Sequence, residues 1–93
     1  MTYRNKEEIF VSILNTAGSQ GAKKTKIMYS SFLSYHMLVE YLDILIDNGF
    51  LTFEKVDKTY KTTLKGFRFL QLQEKVNSIL NERLEIADKI QDQ

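Results

Sequence analysis

The sequence SYHMLVEYLDILIDNGF, residues 34–50, carries the clearest periodic pattern in the chain. Its apolar residues recur at steps of three and four, which places them on one face of an α-helix; they are Leu38, Tyr41, Leu42, Leu45 and Ile46. Ser34 can cap the start of this helix with its hydroxyl oxygen, and Gly49 can supply the left-handed conformation that commonly ends one. The stretch therefore predicts a helix with one buried face and a marked residue at each end.

The opposite face of this helix carries residues that packing does not explain. Near the helix start they are Tyr35, His36, Val39 and Glu40. Hydroxyl, imidazole and carboxylate groups near a helix start can reach base edges and phosphates in the major groove. We therefore interpret this helix as a DNA-recognition helix. Two alternatives stay open, since Tyr35 could be half-buried core and His36 a solvated helix residue.

The segment before residue 34 predicts two further helices. Asn5 and Glu8 have the spacing of a capping box, and the apolar stripe after them predicts a first helix that ends near Ala17. Residues 18–21, GSQG, predict a connector, because two glycines within four residues favour a turn. They lack the Lys-Ser/Thr ending of a phosphate-binding loop, which argues against a nucleotide site. This first helix is expected to be part of the scaffold.

A short second helix is expected directly before the recognition helix. Thr25 can cap it, and it should run from Lys26 to about Ser31, burying Ile27 and either Met28 or Tyr29. A short helix, a turn of three or four residues and a longer amphipathic helix form a helix-turn-helix pattern.

The pattern changes after Gly49 from a period near four to a period of two. Residues 50–56, FLTFEKV, and residues 60–63, YKTT, read as two strands around the polar turn 57–59. A β-hairpin in this position corresponds to the wing of a winged helix-turn-helix domain. Lys55, Lys58 and Lys61 on the hairpin can contact phosphates. Alternatively, they are solubility charges that protect a sheet edge from aggregation.

The last segment predicts one long helix, capped by Thr63 and running to about Ile90. At 1.5 Å per residue it would be roughly 40 Å long, too long for a small head to cover. Phe67 and Leu70 are expected to dock the helix onto the head. The remaining apolar residues follow a heptad-like seam with one polar intruder, Arg83, and predict a homodimeric coiled coil; the dimerisation residues are Phe69, Leu72, Val76, Ile79, Leu80, Arg83, Ile86 and Ile90. Leu80, Leu84 and Ala87 widen the apolar stripe. The register of the seam is therefore not fixed by the sequence, and packing against more than one partner helix stays an alternative.

Composition bounds the class of protein. A chain of 93 residues predicts one modest domain, and the absence of cysteine excludes disulfides and thiolate metal sites. No apolar run approaches the ~20 residues of a membrane span and the polar N-terminus lacks a signal peptide, so we expect a cytoplasmic location and no membrane partner. With one histidine and no assembled catalytic set, we predict no enzyme, no cofactor, no metal and no small-molecule substrate.

Charge is distributed unevenly along the chain. Residues 1–70 hold ten Lys and Arg against seven Asp and Glu, whereas residues 71–93 hold three against five. The sequence pI of 7.9 lies below the value above about 9 that is typical of strongly nucleic-acid-binding domains. A near-neutral winged helix also fits a protein-protein interaction module, which stays open as the alternative function.

The run KKTKIMYSSFLSYHMLVEYLDILIDNGFL, followed after the hairpin by YKTTLKGFRFL, resembles archaeal winged helix-turn-helix proteins of the Sulfolobus 10a type. The resemblance covers most of the chain from about Ile9. It implies a small DNA-binding homodimer, joined by an antiparallel C-terminal coiled coil, with a transcription-regulatory or chromosome-associated role. The acidic residues Glu40, Asp43 and Asp47 on the recognition helix depart from the more basic pattern of that family.

Taken together, the sequence predicts a mainly α, α+β fold. A winged helix-turn-helix domain over residues 1–66, with three helices and a wing, precedes a dimerisation helix over residues 67–93. The expected partners are duplex DNA and a second copy of the chain, in a nucleoid-associated setting. The residues expected to contact DNA are Lys23, Lys24, Thr25, Lys26, Ser34, Tyr35, His36, Glu40, Lys55, Lys58 and Lys61.

Overall fold

The computed structural model describes the backbone of residues 5–91 and the burial of residues 5–82. Three helices are followed by a two-stranded hairpin and one long helix, which confirms the predicted fold class. The elements are α1 (Lys6–Ala17), α2 (Lys24–Ser30), α3 (Tyr35–Asp47), β1 (Leu51–Glu54), β2 (Thr59–Thr62) and α4 (Leu64–Gln91). The molecule is elongated, with extents of 60 × 30 × 20 Å. Among the described helices, none combines the length with the hydropathy that a membrane span requires.

The first helix begins and ends where the sequence predicts. The Glu8 N–H donates to Asn5 Oδ1 at 2.8 Å, which satisfies one of the free donors at the helix start. Its buried face consists of Ile9, Phe10, Ile13, Leu14 and Ala17. These side chains form the centre of the core, which the other two head helices and the hairpin complete.

The start of α2 corrects the prediction for Thr25. The helix begins at Lys24 after an extended Lys23, no side chain caps it, and Thr25 is exposed in its first turn. The reason is the position of Ile27, whose side chain is fully buried in the core. Its N–H donates to the Lys23 carbonyl oxygen at 3.1 Å. Because that bond closes the first helical turn, the helix must start before Thr25. Tyr29, one of two candidates for burial, is 73% exposed, whereas Met28 packs partly against the core.

The third helix has the predicted ends but a slightly rotated buried face. Ser34 Oγ accepts from the Met37 N–H at 3.2 Å, and Gly49 follows the helix with φ of 77°. The core side is formed by Leu38, Leu42 and Leu45, with Tyr41 and Ile44 half-buried beside them. The prediction that Ile46 is buried is wrong, since it is 37% exposed. Tyr41 packs edge-on against Phe10 with ring centroids 5.8 Å apart, and this contact turns the opposite edge of the helix toward solvent.

We expect Ser34→Ala to lower the free energy of unfolding by about 1 kcal/mol, because the Met37 N–H loses its cap. Ser34→Gly should lower the free energy of unfolding by only about a few tenths of a kcal/mol, because glycine leaves the end of the helix open to water. Urea denaturation of both variants measures the difference. Equal stability of the wild type and Ser34→Ala would show that the cap contributes nothing.

The hairpin is shorter than predicted. Leu51 pairs with Thr62 and Glu54 pairs with Thr59, so β1 ends before Lys55. The turn between the strands occupies residues 55–58, and it contains Lys58 in a left-handed conformation with φ of 55°. This tight turn ends β1 earlier than predicted and lets β2 begin at Thr59, one residue before the predicted start. Ala22 adds a short antiparallel bridge to Tyr60, which ties the connector before α2 to the wing.

The hairpin leads into α4 through a hydrogen-bonded joint. The Thr63 hydroxyl donates to the Gly49 carbonyl oxygen at 2.6 Å and accepts from the Gly66 N–H at 3.1 Å, so Thr63 caps the helix as predicted. Gly66 is buried against the Phe50 carbonyl oxygen and the Thr62 side chain. Lys65 Nζ donates to the Asn48 carbonyl oxygen at 2.8 Å. The end of α3, the start of the wing and the start of α4 are therefore joined at one place.

The first turns of α4 pack against the head. Phe69 lies between Phe10 and Phe50, with ring centroids 6.2 and 5.2 Å away, and Leu70 also packs against the core. Beyond them one side of the helix continues beside α1, where Gln73 and Asn77 line grooves with Val11. Its large apolar residues from this point are exposed: Leu72 (62%), Val76 (47%), Ile79 (56%) and Leu80 (50%). The side chains of Arg83, Ile86 and Ile90 lie outside the described residues.

Candidate nucleic-acid interface

The start of α3 presents polar and aromatic side chains to solvent. Tyr35 is 60% exposed, so it is not part of the core. Ser34 and His36 are exposed beside it. His36 Nε2 lies 3.2 Å from Glu40 Oε1, with both side chains mostly in solvent. This pair is an ion pair when the imidazole is protonated, and it then offsets the negative charge that Glu40 would bring to a phosphate surface.

A cation–π contact joins α2 to the start of α3. Lys24 Nζ lies 5.5 Å from the centre of the Tyr35 ring, so the ammonium group of one predicted contact residue sits on the aromatic face of another. Lys23, Thr25 and Lys26 are exposed around Lys24 on the same short helix and its N-cap. The structure therefore brings Lys24 of α2 against Tyr35 of α3, whereas Lys26 lines a groove with the end of α1 and the connector, residues 15–21.

The wing carries a second group of predicted contact residues. Lys55 and Lys58 are exposed in the turn, where Glu54 and Asp57 are their acidic neighbours. Lys61 lies on β2 opposite Thr52 and is half-buried. Its stem packs beside Gly21, where an added Cβ would come 3.1 Å from Lys61 Cγ. Lys61 therefore has less freedom to reach a ligand than the two lysines of the turn.

Chemically, this surface suits a polyanion. Lysine ammonium groups neutralise phosphates, and hydroxyl groups such as that of Tyr35 donate hydrogen bonds to phosphate oxygens. Exposed donors and acceptors at the start of a helix can also read base edges in the major groove.

Three exposed apolar residues near these groups were missed by the sequence reasoning. Phe32, in the turn between α2 and α3, is 86% exposed and has φ of 54°. Tyr29 is 73% exposed on α2, and Val56 is 88% exposed in the wing turn. A signal for Phe32 was present in the sequence, since a large apolar residue two positions before an N-cap lies in neither helical stripe.

A three-helix head whose second and third helices are joined by a tight turn, with a hairpin directly after them, defines a winged-helix domain. The family model for winged helix-turn-helix proteins matches residues 3–81. The chain belongs to this winged helix-turn-helix family.

Two relatives come from the archaeon Methanocaldococcus jannaschii. The chain is 37% identical over 73 residues to the uncharacterized protein MJ0290, a match that covers 78% of the chain but 34% of the relative. The chain thus spans about a third of that protein's length. It is 31% identical over 85 residues to the uncharacterized protein MJ0287, covering 91% of the chain and 78% of that relative.

Among solved structures, the chain is similar to Sso10a-2, described as a DNA-binding protein from Sulfolobus solfataricus. The TM-score is 0.77 at 23% sequence identity, over 96% of this chain and 95% of that one. The likeness extends through the long C-terminal helix. The resemblance inferred from residues 23–51 and 60–70 is confirmed at the level of the fold.

Proposed function

We propose that this protein binds duplex DNA as a homodimer and acts as a transcription regulator or a chromosome-associated protein. The observation that carries the proposal is the contact at the start of α3, where Lys24 stacks on an exposed Tyr35 beside the Ser34 cap. The family assignment and the fold shared with Sso10a-2, a protein described as DNA-binding, support it.

In this proposal the first turns of α3 enter the major groove. Helix-turn-helix proteins dock with the N-terminal residues of the recognition helix at the base edges, while the preceding helix crosses the backbone. Ser34, Tyr35 and His36 donate to bases or flanking phosphates. Glu40 accepts from the N4 amino group of cytosine. The His36–Glu40 contact orients both side chains on one face of the helix.

The lysines supply the part of the affinity that does not depend on sequence. Lys23, Lys24 and Lys26 neutralise phosphates beside the recognition helix, and the Thr25 hydroxyl donates to one of them. Lys55, Lys58 and Lys61 contribute from the wing. Each phosphate neutralised releases condensed counterions, so binding of this kind weakens steeply as salt rises.

The homodimer is proposed to form along α4. Four large apolar side chains remain exposed between residues 72 and 80, a stripe that would favour aggregation if nothing covered it. Because Phe69 is engaged with its own head, the seam is proposed to start at Leu72 and to continue through Arg83, Ile86 and Ile90. Residues 1–66 then form the head and residues 67–93 the dimerisation helix, with Phe69 and Leu70 holding the two together. An antiparallel arrangement would place one head at each end of the pair.

A titration of labelled duplex DNA at several salt concentrations tests the proposal. The expected result is binding at low salt that weakens as salt rises, with a linear relation between log K and log salt. The sequence pI of 7.9 favours one alternative, a winged helix that contacts another protein. Absence of binding to random and genomic duplexes at low salt would reject DNA binding and support that alternative.

Replacing both Lys24 and Lys58 by alanine should weaken binding and flatten its salt dependence. If each lysine neutralises one phosphate, the log–log slope should fall by about 2 per head, because each contact contributes roughly 0.9. Fluorescence anisotropy against the same duplex measures this. A double variant of equal charge, Lys6→Ala with Lys75→Ala, is the control, since these lysines lie on α1 and α4 and should leave the slope nearly unchanged. Identical slopes for both double variants would contradict a local contact.

A further inference from the structure

Phe32 occupies a costly position in the turn between α2 and α3. Its φ of 54° lies in the left-handed region, which a bulky side chain rarely adopts and which glycine or asparagine adopts easily. Its ring is also 86% exposed, so burial does not offset the strain. Both the left-handed backbone and the exposed ring of Phe32 cost free energy in the folded protein. A residue of this kind points to a role in function rather than in stabilising the fold.

The flanking residues fix the backbone around Phe32. Ser31 is buried and its hydroxyl oxygen accepts from the Ser12 hydroxyl at 3.0 Å, while Leu33 is 8% exposed and its N–H donates to the Met28 carbonyl oxygen at 3.1 Å. The Phe32 N–H donates to the Tyr29 carbonyl oxygen at 3.3 Å. With both neighbours held in the head, the Phe32 side chain is presented outward from a rigid turn.

This turn lies next to the proposed DNA-contact surface. Phe32 precedes the Ser34 cap by two residues and Tyr35, whose ring carries Lys24, by three. In helix-turn-helix docking, the first residues of the recognition helix face the bases, so the turn that leads into them is close to the major groove. An apolar side chain there meets one apolar group on the base edges, the C5-methyl group of thymine.

We propose that Phe32 contacts a thymine methyl group in the major groove and so makes binding depend on thymine at that position. The inference rests on the proposed DNA binding and deepens it. The phenyl ring has no hydrogen-bond donor or acceptor, so it recognises the methyl group by excluding water. The hydrogen-bonded turn fixes the backbone from which the ring projects before DNA is bound, which removes part of the ordering cost of the contact.

The test compares an alternating adenine–thymine DNA duplex with the same DNA duplex carrying deoxyuridine in place of thymidine, which lacks only the methyl groups. The wild type should bind the deoxyuridine duplex about fourfold more weakly for each head that is bound, the amount expected for one buried methyl group. Phe32→Leu, which keeps an apolar side chain, should retain the preference. Phe32→Gly should bind the thymine duplex roughly several-fold more weakly than the wild type does. Its affinities for the two duplexes should be equal.

The stability of the same variants separates this role from a structural one. Phe32→Gly should unfold at the same temperature as the wild type or a higher one, because glycine relieves the left-handed strain. Weaker binding by a protein that is no less stable therefore reports a lost contact. Phe32→Gly with an intact preference for thymine would overturn the inference, as would equal binding of both duplexes by the wild type. Failure of the wild type to bind either duplex would instead overturn the proposed function itself.

Discussion

Gly66→Ala is expected to lower the free energy of unfolding by about 3 kcal/mol and the midpoint of thermal unfolding by about 15 °C. An added Cβ at this position would clash with the Phe50 carbonyl oxygen and would come within 2.7 Å of Thr62 Cγ2. Neither neighbour can yield easily, since Phe50 O also accepts from the Thr63 N–H at 3.0 Å and Thr62 is paired within the hairpin.

The sign of this effect is what makes the experiment informative. Glycine inside a helix is normally less favourable than alanine by about 1 kcal/mol, so helix propensity alone predicts that Gly66→Ala stabilises the protein. The structure predicts the opposite because α4 crosses the end of the wing at backbone contact. Thermal unfolding followed by circular dichroism measures the difference. Gln71→Ala, exposed on the same helix, is the control and should change the midpoint by little. A midpoint for Gly66→Ala at or above that of the wild type would contradict the observed packing.

Ile79→Asp is expected to separate the proposed dimer into single chains. Ile79 is 56% exposed at the centre of the apolar stripe on α4, and in the dimer each copy would bury an unpaired carboxylate. The dissociation constant of the dimer should therefore rise by at least about a hundredfold. Light scattering after size exclusion should give the single-chain mass of 10.9 kDa for the variant and twice that mass for the wild type.

Two further measurements complete this prediction. Ser78→Asp introduces the same charge on the side of α4 that faces away from the stripe, and it should remain dimeric. DNA affinity of Ile79→Asp should fall by about a hundredfold or more, because the two heads no longer bind as a linked pair. A dimer that survives Ile79→Asp would show that the exposed stripe is not the interface.

The ends of the helices were predictable from the sequence because they depend on bonds between near neighbours. The caps at Asn5, Ser34 and Thr63 each involve a residue three positions further on, and all three are formed. Thr25 failed as a cap although it has the same chemistry. The start of α2 is set instead by the burial of Ile27, and that depends on how α2 packs against the rest of the head.

Features that depend on the angles between elements were not accessible from periodicity. The sequence placed Ile46 on the buried face of α3, but the contact of Tyr41 with Phe10 rotates that face. It placed Phe69 in the seam, but the ring lies between Phe10 and Phe50 because α4 starts so close to the head.

At the candidate site, too, local features were predictable from the sequence, whereas contacts between elements were not. Exposed lysines in a turn or at a helix start are expected from polarity alone, and Lys23, Lys26 and both lysines of the wing turn are exposed, whereas Lys24 is half-buried. The stacking of Lys24 on Tyr35 depends on the crossing of two helices. The left-handed turn at Phe32 depends on the burial of Ser31 and Leu33 on either side of it.

The joint at Thr63 has a mechanical consequence. Since the same few contacts join the end of α3, the wing and α4, any rotation of the recognition helix relative to the long helix would have to break them. In the proposed dimer, the two heads would therefore keep a fixed orientation relative to each other, because in the described part of the chain no flexible linker separates them from α4. Such a dimer would bind two DNA segments only at the separation and angle set by its two recognition helices. A duplex with a different geometry would have to bend in order to bind.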